Sequence, residues 1–96
     1  MFLIGFPMTD SLDESQFHVL ADGTLARFFA QLEPQYEAGA LEELELQGGI
    51  LTIVTPGGKT FLLTKHSPTR QIWLASPVSG GLHFVHDAGG WTLADG

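Results

Sequence analysis

The sequence contains no cysteine. That single absence removes disulfides, zinc–thiolate centres, cysteine nucleophiles and Cys-ligated iron–sulfur clusters, and it suits a reducing compartment. Bases are scarce as well: four Lys and Arg stand against eleven Asp and Glu, a formal net charge of −7. Binding a phosphate backbone requires cations that release its counterions, so the balance excludes nucleic acid and disfavours anionic membranes. A basic protein surface or a hard metal cation is the natural complement. No apolar run approaches the roughly 20 residues that cross a bilayer. The opening from Phe2 to Met8 lacks a basic flank and is shorter than a signal-peptide core, and the first Arg is Arg27, which is unlike a transit peptide. Met8 competes with Met1 as the start, so residues 1–10 read as an extension before a domain over 11–96.

What is present fits one domain. The 96 residues are 44% hydrophobic, with seven Phe and two Trp, enough for one core. Ser11 followed three positions later by Glu14 fits a capping box. Phe17, Leu20, Ala21, Thr24, Leu25, Phe28 and Leu32 then recur at helical offsets. The pattern predicts an amphipathic helix from Leu12 to Glu33, running through Gly23 and ended by Pro34 and Gly39. After Ala40 the period becomes two. Leu44 and Leu46 alternate with acids, and further strands are expected at Ile50–Val54, Thr60–Thr64, Gln71–Ala75, Leu82–His86 and Trp91–Leu93. Their Gly- and Pro-rich links are too short for parallel crossovers, so the six strands form an antiparallel meander.

The fold class is therefore α+β, one helix on a sheet. Six strands at ~4.8 Å spacing span about 29 Å, whereas a helix covers about 10 Å. A second helix is expected on physical grounds, and the sequence to Gly96 does not contain one.

The run Gln71-Ile72-Trp73-Leu74-Ala75-Ser76-Pro77, with Pro68 before it and Ser79-Gly80 after it, resembles the signature strand of the frataxin family. Trp91 with Asp95-Gly96, Phe17-His18 with Leu20-Ala21-Asp22, and Gly48-Gly49-Ile50-Leu51-Thr52 are similar to other parts of that family, in the same order. The likeness covers about Asp13 to Gly96. It implies an α-β sandwich whose second, C-terminal helix would begin just after Gly96 and is absent from this chain. It further implies an acidic ridge that binds iron weakly, and a sheet face that docks on a cysteine desulfurase and its iron–sulfur scaffold protein. Bacterial members imply the cytoplasm; a eukaryotic fragment would imply the mitochondrial matrix. Where relatives commonly place acids on the helix, this chain has Phe29 and Ala30.

Three constellations bear on function. His18, Asp22, Phe29 and Glu33 fall on a helix ridge beside the apolar stripe, Glu37 follows it, and Glu43 and Glu45 share one face of the first strand. Such carboxylates suit an exchangeable divalent cation; they serve equally as a solvated face that keeps the chain in solution. His18 and Asp22, four apart, make a better pair than His83 and His86, which a strand sends to opposite faces. In the signature strand, alternation sends Ile72 and Leu74 inward and leaves Gln71, Trp73 and Ala75 outward. An outward Trp is a frequent interface anchor, although packing against its neighbours is the alternative. The expected docking residues are Gln71, Ile72 and Trp73, with His66 and His83, beside Thr64, where the resemblance implies amide and basic groups. Enzyme motifs are lacking: Gly57-Gly58-Lys59-Thr60 joins two strands and reads as a hairpin, not a phosphate loop. Ferroxidation stays open through the family.

The first functional expectation is an iron-binding accessory protein of iron–sulfur cluster assembly. Iron storage or ferroxidation by the same acids, and a structural interaction domain without metal, are the alternatives. A monomer is expected, with self-association through an uncovered sheet face unless Phe2–Pro7 folds over it.

Overall fold

A computed structural model describes residues 13–87 and 89–94. The Ser11 cap, the Phe2–Pro7 segment and Asp95-Gly96 lie outside them. One helix, α1 (Glu14–Glu37), precedes six strands: β1 (Glu43–Gln47), β2 (Ile50–Val54), β3 (Thr60–His66), β4 (Gln71–Ser76), β5 (Gly80–Asp87) and β6 (Gly90–Leu93). Every strand pairs antiparallel with the next, in sheet order β1-β2-β3-β4-β5-β6. The expected meander is present, with β3, β4 and β5 each longer than their alternating cores. Among the described residues no helix is long and apolar enough to cross a membrane.

The helix ends differ from the sequence reading. Asp13, not Ser11, is the N-cap: its carboxylate accepts from the Gln16 backbone N–H at 2.8 Å, and the Gln16 side chain accepts from the Asp13 N–H at 3.3 Å. Both halves of a capping box are satisfied there, and a carboxylate also complements the positive end of the helix dipole. At the other end α1 runs through Pro34 to Glu37. The missing Pro34 N–H falls in the final stretch, where the carbonyl it leaves free can meet water. The N–H groups of Ala38, Gly39 and Ala40 close on the carbonyls of Pro34, Tyr36 and Gln35. Gly39, at φ +86°, supplies the left-handed conformation that stops the helix.

Phe17, Ala21 and Leu25 from α1 are buried with Leu51 and Ile72, and Phe29, Leu44, Leu46, Ile53, Leu63 and Trp91 pack around them. The contact therefore follows an i+4 row, which slants across the helix axis. Continuing that row reaches Phe29 rather than Phe28. Phe28, expected in the buried stripe, is 43% exposed.

The helix lies against β1 to β3 and the short 3-10 turn at Ser67–Thr69. Trp91 ties it to the far side of the sheet. Its Nε1–H donates to Thr24 Oγ1 at 2.8 Å, and the Thr24 hydroxyl donates to the Leu20 carbonyl at 2.8 Å. Between these anchors an open groove of about 370 Å³ is lined by Thr24, Phe28, Leu63, Ile72, Leu74, Phe84 and Trp91. It is the part of the inner sheet face that one helix does not cover.

Candidate functional site: the outer sheet face

Strand register assigns each candidate to a face. Leu46, Leu51, Leu63, Leu74 and Leu82 form one row across the sheet, under the helix side. The neighbouring row, Gln47, Ile50, Thr64, Trp73 and His83, points to the outer face. Trp73 thus lies mid-sheet on the face away from α1, as alternation predicts. Ile72 does not share that face. It is 4% exposed and part of the core, so it is removed from the docking set and acts by holding β4 against the helix.

Trp73 is half-buried by its neighbours. The His66 ring from β3 stacks on it at a centroid distance of 3.7 Å and 15°, and the His83 ring from β5 stacks at 4.3 Å and 9°. The indole Nε1–H donates to Gln71 Oε1 at 2.7 Å. Thr69 Oγ1 lies 3.2 Å from the same oxygen and 2.8 Å from His66 Nδ1. Arg70, in the left-handed region at φ 55°, connects the 3-10 turn to β4, and its guanidinium donates to the Ser67 carbonyl. That connection brings Thr69 and Gln71 to the edge of the stack. Thr69 was not singled out in the sequence; its position one residue before Arg70 gave no signal of a shared network.

The acidic candidates are divided. Leu44 and Leu46 pack toward the core, so the alternation of β1 places Glu43 and Glu45 on the outer face. His18, Asp22, Glu33 and Glu37 are on the helix, across the sheet. The expected His18–Asp22 pair does not form. His18 Nε2 lies 3.6 Å from Glu14, one turn earlier, and Asp22 pairs with Lys65 Nζ at 2.9 Å. Lys65 comes from β3 on the helix side, and Asp22 is the acid it meets. His18 Nδ1 is enclosed without a hydrogen-bond partner. Among the described residues no three His, Asp or Glu side chains gather in a way that could hold a metal ion. His83 and His86 separate to opposite faces, His86 meeting Trp91 edge-on at 5.1 Å.

Thr55, Gly58 and Lys59 close the β2–β3 turn through backbone hydrogen bonds of 2.9 and 2.8 Å. Gly57-Gly58-Lys59-Thr60 is therefore a hairpin connection.

Comparison with known proteins agrees with this architecture. Residues 10–95 match the frataxin-like domain. Over 80 residues the chain is 38% identical to the iron-sulfur cluster assembly protein CyaY of Vibrio cholerae, covering 83% of this chain and 73% of that protein. It is 37% identical over 78 residues to the mitochondrial frataxin of Dictyostelium discoideum, covering 79% of this chain but only 40% of the relative. Among solved structures, the frataxin from Psychromonas ingrahamii superposes with a TM-score of 0.72 at 24% identity, covering 85% of this chain and 74% of the other. The trimeric frataxin from the yeast Saccharomyces cerevisiae, complexed with ferrous iron, superposes at 0.67 with 33% identity, covering 92% and 75%. The meander and the helix packed across it are thus a shared fold, and the chain belongs to the frataxin family.

Proposed function

We propose that this chain serves iron–sulfur cluster assembly as an accessory protein, docking through its outer sheet face on a cysteine desulfurase and scaffold complex and carrying iron loosely as cargo. The observation that carries the docking part is the Trp73 stack. A large aromatic held rigid at the centre of a flat face, with few charges around it, has the composition of an interface core. The name of the Vibrio relative supports the process, and the ferrous complex of the yeast relative supports the metal.

Iron would be met by separate exposed acids. Hard carboxylates bind Fe²⁺ weakly when each supplies one or two oxygens and water completes the shell. Two groups of candidates stand on opposite faces, Asp22, Glu33 and Glu37 on the helix side and Glu43 with Glu45 on the outer edge of β1. His18 joins the first through Glu14, which adds a carboxylate to the set.

The experiment is a titration with Fe²⁺ under anaerobic conditions, read by amide NMR, beside a desulfurase assay with the scaffold present. Broadening centred on Glu14, Asp22, Glu33, Glu37, Glu43 and Glu45, with a change in desulfurase rate, is expected. Broadening confined to His83 and His86, with the acids silent, would sink the iron assignment. An unchanged desulfurase rate and no co-purification would sink the docking assignment.

A further inference from the structure

We draw no further inference here: the strongest candidate, the apolar groove on the inner sheet face beside α1, lined by Phe28, Leu74, Phe84 and Trp91 among others, carries none because nothing among the described residues shows what covers it.

Discussion

At the scale of single residues, Trp73 and Asp22 illustrate how neighbours decide what a side chain offers. Trp73 is held by two stacked rings and one hydrogen bond, so an interface would meet it already ordered. Truncating an ordered aromatic anchor costs about 2 kcal/mol or more at an interface. Trp73→Ala should therefore weaken binding to the desulfurase–scaffold complex by about 30-fold or more, with the iron titration unchanged; a pull-down equal to wild type would remove Trp73 from the interface. The variant's circular dichroism checks that the fold survives the loss of stacking. Asp22 is different, because its carboxylate is already paired with Lys65. Lys65 is largely covered, at 18% side-chain exposure, whereas Asp22 is 57% exposed, so the pair's contribution to stability is discounted to about 1 kcal/mol or less. Its effect on iron should be larger. Lys65→Gln removes a competing cation and should increase the Fe²⁺ broadening at Asp22. Unchanged broadening at Asp22 would show that this acid does not meet iron.

At the scale of elements, the strands were legible because their signals are local. Leu44 and Leu46 alternate with acids, and glycine pairs mark the turns, so hydrophobic pattern and turn chemistry agree. The face of Trp73 followed from the same alternation. The helix was less legible at both ends. Ser11-x-x-Glu14 and Asp13-x-x-Gln16 have the same form, and only the observed hydrogen bonds show that the second is made. Asp13→Ala should cost about 1 kcal/mol in chemical denaturation, the usual value of an N-cap. A stability equal to wild type would mean that the cap contributes nothing. The slant of the helix across the sheet was likewise hidden: the apolar stripe includes Phe28 and leaves Phe29 on the ridge beside it, and the i+4 row selects Phe29 only once the helix is docked. The acidic ridge was read as one edge. Its division between two faces follows from the pleat of β1, and the diversion of Asp22 depends on Lys65, 43 positions away. Such long-range pairings leave no mark in local sequence.

At the scale of the whole molecule, the governing quantity is the apolar area that one helix leaves uncovered. Leu63, Ile72, Leu74 and Phe84 from the sheet, with Phe28 and Trp91 at the sides, line a groove of about 370 Å³. Leu93, on β6, is 57% exposed. Contiguous apolar patches beyond a few hundred Å² are unusual on isolated soluble domains and favour association. The 96-residue chain should accordingly bind a dye that brightens on apolar surface, melt at low temperature, or self-associate as concentration rises. Fusing to its C-terminal end a helix of about 15 residues with an apolar stripe at helical spacing should fill the groove. At ~25 cal/mol per Å² of apolar area removed from water, covering this surface should raise stability by several kcal/mol and abolish dye binding. The control is the same helix with its apolar stripe replaced by Glu, Gln and Lys, which should do neither. Phe84→Ser offers an independent check, because a groove residue already facing water should lose less on substitution than Leu25, whose truncation to Ala should cost about 2–5 kcal/mol as for a closed core. A chain that melts as a monomer at an ordinary mesophilic temperature, binds no dye and gains nothing from the apolar helix would refute an exposed groove.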